Sequence, residues 1–112
     1  MSKRKLVFSD AAKRAFGKLP KDAREDFAKA LQDIMDDRKP SMEFKPLNNL
    51  GKNINGVIEL IINGSPAYRV VYIAKFKGKV HLLHAFTKTT NGVDRRAMEV
   101  VVKRYKDIPK DG

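Results

Sequence analysis

The sequence predicts an α+β domain: a mostly antiparallel four-stranded sheet with an N-terminal helical hairpin and a C-terminal helix. Three observations predict it. Two stretches near the start repeat apolar residues at helical spacing. Three β-rich runs in the second half are joined by hairpin-type connections, and an amphipathic stretch lies near the end. The 112 residues read as one domain, residues 1–112, whose 42% hydrophobic content supports a single core.

"KLVF" reads as a short first strand. In "SDAAKRAFGKLP" Ser9 is a candidate N-cap, and Ala12, Ala15, Phe16 and Leu19 share a helical face. Pro20 interrupts that helix and suits the first turn of the next. Residues 21–38 then place Ala23, Phe27, Ala30, Leu31, Ile34 and Met35 on one stripe, so two helices pack as a hairpin. Pro40 and Pro46 bracket an irregular link, and "NNLGKNING" continues its turn chemistry.

"GVIELII", "AYRVVYIAKF" and "KVHLLHAF" are rich in β-branched and aromatic residues, with "NGSP" and "KG" between them as hairpin connections. The last helix starts after Asp94, a candidate N-cap. Met98, Val101, Val102 and Tyr105 form its apolar face, and Lys103, Arg104 and Lys106 a basic back.

The charge balance narrows the function classes. Twenty-four Lys and Arg oppose 13 Asp and Glu, a formal net charge of +11, which suits a polyanionic partner better than solubility alone requires. The excess is +4 over residues 1–50 and +7 over residues 51–112. With no cysteine, disulfides and thiolate metal sites are excluded, and two histidines make a poor metal site. No cofactor is expected. No apolar run has the roughly 18 residues of a membrane span, and "MSKRKLVFSD" does not read as a signal peptide. The expectation is a cytoplasmic protein with no membrane partner.

Strand alternation puts Arg69 on one face with Val71 and Ile73, where a guanidinium needs a partner or an open edge. Glu59, which interrupts an equally apolar strand, is the obvious supporting residue. The pair is either a cross-strand ion pair, or Arg69 clamps a phosphate in a concave surface; both hold if Glu59 orients Arg69. Lys88, Thr89, Thr90 and Asn91 end the next strand. They form either a solvated connection or a place where strand end, loop and helix start meet an anion. Arg95 and Arg96 stand where the helix macrodipole disfavours cations by ~0.3–1 kcal/mol. His81 and His84 point to opposite faces by alternation and do not pair, but one could be an acid or base. No Gly-rich phosphate loop, metal-type carboxylate cluster or nucleophile elbow is present. If RNA is the substrate no metal is needed: its 2′-OH can attack the adjacent phosphate, given a base, an acid for the leaving oxygen and cations for the developing charge.

"GVIELI", "AYRVVYIAK", "VHLLHAFTKTT" and "DRRAMEVVVKRYKDI", at this spacing over residues 56–108, resemble the RelE/ParE toxin superfamily, in particular its HigB-like, phage-derived branch. The resemblance implies a RelE-like fold and the toxin of a type II toxin–antitoxin pair. RelE and HigB relatives are ribosome-dependent endoribonucleases that cleave mRNA in the A site, and ParE relatives poison gyrase. A non-catalytic nucleic-acid-binding module of the same fold is the third possibility. The family's phosphate-binding strand arginine falls on Arg69 and the first lysine of its Lys-Lys pair on Lys88. His84 is the remaining catalytic candidate, with Lys52, Arg95 and Arg96 for RNA binding. Implied partners are an antitoxin, the ribosome and mRNA, with operator DNA reached only through the antitoxin. Ile61 and Thr89 stand where the family carries basic residues, "NGVD" replaces its usual turn, and the last helix has no early tyrosine.

Overall fold

The computed structural model describes residues 4–89 and 91–109; Thr90 lies outside them. The order is β1 (Lys5–Phe8), α1 (Asp10–Gly17), α2 (Lys21–Met35), β2 (Phe44–Pro46), β3 (Val57–Ile62), β4 (Ala67–Ile73), β5 (Lys79–Lys88) and α3 (Arg95–Lys106). The strands form one sheet in the order β1-β5-β4-β3-β2. β1 runs parallel to β5, and the other pairs are antiparallel. The sheet is therefore five-stranded and mixed, not four-stranded. The added strand, β2, has three residues and includes Pro46, which lacks an N–H to donate and is tolerated because β2 is an edge.

Local chemistry sets the helix limits. Ser9 accepts a hydrogen bond from the Ala12 backbone N–H at 3.1 Å and starts α1. Pro20 precedes α2, and Asp37, with a φ of 59°, turns the chain away after Met35, three residues before the expected end at residue 38. Arg4 fastens the N-terminal strand by donating to Ala74 O at 2.7 Å and pairing with Asp37 at 2.6 Å.

Two apolar layers enclose the sheet. Phe27, Ala30, Leu31 and Ile34 of α2 pack with Leu19 against Leu60, Val70, Tyr72, Val80, Leu82 and Ala85. On the other face Val101 of α3 packs against Val57, Val71, Ile73 and Leu83, with Met98 and Tyr105 beside it. A bulge interrupts this alternation. Val71 pairs with His84 but Tyr72 with Leu82, so β5 carries one extra residue there. The expectation that His81 and His84 face opposite ways fails for that reason. His81 is opposite Ile73 and His84 opposite Val71, which puts both on the α3 face. They have different neighbours: His81 meets the Phe76 ring edge-on, and His84 stacks with Phe86.

Candidate functional site

The strongest constellation lies at one end of the sheet, on its α3 face. Glu59 of β3 is opposite Val71 and Arg69 of β4 is opposite Ile61, so the two side chains meet diagonally. Arg69 Nε lies 3.7 Å from Glu59 Oε1, with side chains only 9% and 7% exposed. Arg69 Nη1 donates to Ile62 O at 3.1 Å and Tyr68 O at 3.0 Å, fixing the guanidinium plane. Lys45, opposite Glu59 on β2, brings its ammonium to 3.9 Å from the same carboxylate oxygen. Burial raises the Glu59 pKa above the ordinary 4.5, against the opposing pull of Lys45, Arg69 and Lys88.

Lys88 is the last residue of β5 and is opposite Ala67, two positions along from the Arg69–Phe86 pair. It therefore shares Arg69's face. Both line an open pocket of about 470 Å³ closed by Asn63, Gly64, Ser65 and Pro66 on one side and Thr89, Asn91 and Gly92 on the other. Gly64 has a φ of +153°, and a Cβ there would sit 3.1 Å from Pro66 O, so the turn at the rim requires glycine. Among the described residues two cations and no carboxylate line the pocket. It can take an anionic oxygen, with Glu59 behind Arg69 as its buried counter-charge.

The other candidates do not converge there. His84 lines a separate groove with Arg14, Lys18 and Arg104. Arg104 Nη1 lies 3.0 Å from His84 Nδ1 and donates to Leu83 O at 2.9 Å. A guanidinium only donates, so Nδ1 accepts and the ring proton sits on Nε2. Burial first, and Arg104 next, lower the His84 pKa to about 4, against the pull of Asp94. Lys52, Arg95 and Arg96 are exposed and line neither the Arg69 pocket nor the His84 groove. Arg95 borders an apolar groove formed by Leu47, Leu50, Met98 and Val102. Asp94 caps α3 by accepting from Ala97 N–H at 3.0 Å, which supplies negative charge beside Arg95 and Arg96.

Sequence reasoning missed Lys45, hidden between two prolines that read as a link. It also gave Arg104 no role beyond the basic back of the last helix, whereas the residue is half-buried and turned onto β5. Among the described residues no group of three His, Cys, Asp or Glu side chains is placed to hold a metal, and no helix is long and apolar enough to cross a membrane.

A family model described as phage derived protein Gp49-like (DUF891) matches residues 14–106. Among solved structures, a doubly substituted toxin RelE of E. coli in the free state superposes with a TM-score of 0.60 at 23% identity, covering 97% of this chain and 100% of that one. The toxin–antitoxin complex RelBE2 from Mycobacterium tuberculosis gives 0.51 at 21% identity, covering 79% and 100%. No curated protein matches the sequence. At these identities the structural likeness establishes a shared fold.

Proposed function

The chain belongs to the phage-derived Gp49-like family and has the RelE-like fold, and from that premise we propose that it is the toxin of a toxin–antitoxin pair, a metal-independent endoribonuclease that cuts mRNA on the ribosome. The main support is that Arg69 and Lys88 line one pocket, with Arg69 held in place by the Ile62 and Tyr68 carbonyls and balanced by a buried glutamate. In the reaction the 2′-oxygen of one ribose attacks the adjacent phosphorus, losing its proton to a base, while the P–O5′ bond breaks and the 5′-oxygen takes up a proton. The products are a 2′,3′-cyclic phosphate and a 5′-hydroxyl. Charge on the non-bridging oxygens peaks in between, and two fixed cations stabilise that state more than the substrate.

His84 receives no proton-transfer role: its Nδ1 is occupied by Arg104, and it lines a different groove. Among the described residues neither imidazole nor carboxylate lines the Arg69 pocket, so the contribution read for this chain is electrostatic. That favours a message already aligned by the ribosome, whose decoding site would present the 2′-oxygen in line. Lys52, Arg95 and Arg96 would contact ribosomal or messenger RNA beyond the pocket. A protein partner matched to a chain of net charge +11 is acidic where it binds, as an antitoxin would be. The RelBE2 complex supports such a partner, and the site of action would be the cytoplasm.

Primer extension on a defined message in a purified translation system tests this, with and without ribosomes, for the wild type, Lys88→Ala and Arg69→Lys. Cuts at codon boundaries that need ribosomes and fade in both variants are expected. Intact message with unimpaired translation would overturn the nuclease reading, and gyrase supercoiling would then be assayed for a ParE-like activity.

A further inference from the structure

β1 pairs only with the first half of β5, from Lys79 to Leu82. From Leu83 onward no strand among the described residues lies beside the outer edge of β5, which is flanked by α1 and by Arg104 of α3, the donor to Leu83 O. We propose that the groove left there, about 440 Å³, binds a phosphodiester of single-stranded nucleic acid through Arg14, Lys18 and Arg104, with the His84–Phe86 ring pair as a stacking surface for a base.

Among the described residues three cations and no carboxylate line the groove. Among the described residues no acidic side chain forms a salt bridge with any of the three. Arg104's guanidinium is less basic than usual because it is partly buried and because Arg14 stands close enough to repel it. Such crowding is unfavourable in the empty groove and is relieved by an anion bridging the two guanidinium groups. The rings of His84 and Phe86 lie 5.3 Å apart at 23° to one another, and Arg104 holds the imidazole in place. Nearly parallel rings beside cations suit base stacking next to a phosphate. An acidic peptide would use the cations but not the rings.

The groove also continues the proposed reaction site, and in that respect the inference rests on the RNA-cutting reading. Thr87 lines the groove and Lys88, the next residue, lines the Arg69 pocket. From His84 to Lys88 the strand advances about 13 Å at ~3.3 Å per residue, the length of a short single-stranded segment. The two anion sites thus form one track along the end of β5, and the second grips the strand beside the scissile phosphate.

The test measures binding of the full chain to a fluorescein-labelled ten-nucleotide DNA strand by anisotropy over a range of salt. DNA has no 2′-hydroxyl, so the outcome is independent of whether the chain cuts RNA; the cleavage reading stands or falls on the ribosome assay. Arg14→Gln/Lys18→Gln, the α1 variant, removes two exposed charges, one from α1 and one from the residue that follows it, and leaves the Arg104 contacts intact. Lys21→Gln/Lys29→Gln, on exposed positions of α2, is the charge-matched control. Binding is expected to weaken about tenfold in the α1 variant, with a salt slope smaller by about 0.7 per lost phosphate contact. The control should stay within about twofold. No binding by the wild type, no loss in the α1 variant or an equal loss in both variants overturns the proposal. So does a glutamate-rich peptide that displaces the DNA from the wild type and fails to bind the α1 variant, since the groove would then belong to a protein.

Discussion

Arg69 and Glu59 form a buried diagonal ion pair across β3 and β4, with Nε 3.7 Å from Oε1. The distance is long for a strong contact, and the guanidinium donates its close hydrogen bonds to the Ile62 and Tyr68 carbonyls instead. Glu59 balances charge more than it grips. Lys45 and Lys88 act on it as well, so one buried carboxylate offsets three cations, two of which line the Arg69 pocket. An anion entering the pocket would compete with Glu59 for Arg69 and Lys88.

Arg69→Ala should therefore destabilise the chain as well as impair it. Removing one partner of a buried pair costs about 3–5 kcal/mol, and with Lys45 still near Glu59 the loss should be about 2–3 kcal/mol in urea unfolding. Arg69→Lys should lose less, and Glu59→Gln in the Arg69→Ala background should recover part of the loss. A cost below about 0.5 kcal/mol for Arg69→Ala would contradict the pair.

Lys88 separates chemistry from stability. It ends β5, is half-buried and makes no close ion pair among the described residues, so Lys88→Ala should change unfolding by about 0.5 kcal/mol or less. Ribosome-dependent cleavage should fall about 100-fold or more, the usual loss for one fixed charge stabiliser. Undiminished single-turnover rates in that variant would remove Lys88 from the reaction.

His84 gives the pH prediction. Its pKa is about 4 in the folded chain, against an ordinary value of 6.5. Between those values the unfolded chain binds a proton that the folded chain refuses, so stability present above pH 6.5 is lost as the pH falls through that window. Solvent screening of a half-buried ring limits the effect to about 1–2 kcal/mol. His84→Gln should flatten that part of the stability curve. An imidazole NMR titration of His84 centred near its ordinary value would rule out the Arg104 contact.

The sequence made some of this legible and hid the rest for identifiable reasons. Repeating periods exposed all three helices and the three long strands, because Phe27, Leu31, Val70 and Val101 each recur with neighbours on one buried face. β2 was hidden because three residues ending in Pro46 carry no period. The parallel pairing of β1 with β5 joins segments more than 70 residues apart and leaves no local trace. The bulge at Leu83 and His84 defeated simple alternation, since a single extra residue reverses every face assignment beyond it. Arg69 and Lys88 could be read because a cation among β-branched residues or at a strand end breaks a pattern. Arg14 and Lys18 broke none, as exposed helix cations look like any solvated face.

Tyr105 supplies the last prediction. It sits on the apolar face of the final helix, and its hydroxyl is engaged: it accepts from Lys75 Nζ at 2.6 Å and donates to Asn53 O at 3.3 Å. Lys75 also donates to Asn55 Oδ1 at 2.9 Å and stands 5.0 Å from the Tyr105 ring centre, tying α3 to the loop before β3. Lys75 lies six residues beyond Arg69, about 20 Å along an extended chain, so this cluster is at the opposite end of the sheet from the Arg69 pocket. Tyr105→Phe removes the two hydroxyl bonds and keeps the ring under the ammonium. It should cost about 1 kcal/mol in urea unfolding and leave cleavage within about twofold. A folded Tyr105→Phe variant that cuts ten times more slowly would instead place Tyr105 in the reaction and move the active site away from Arg69.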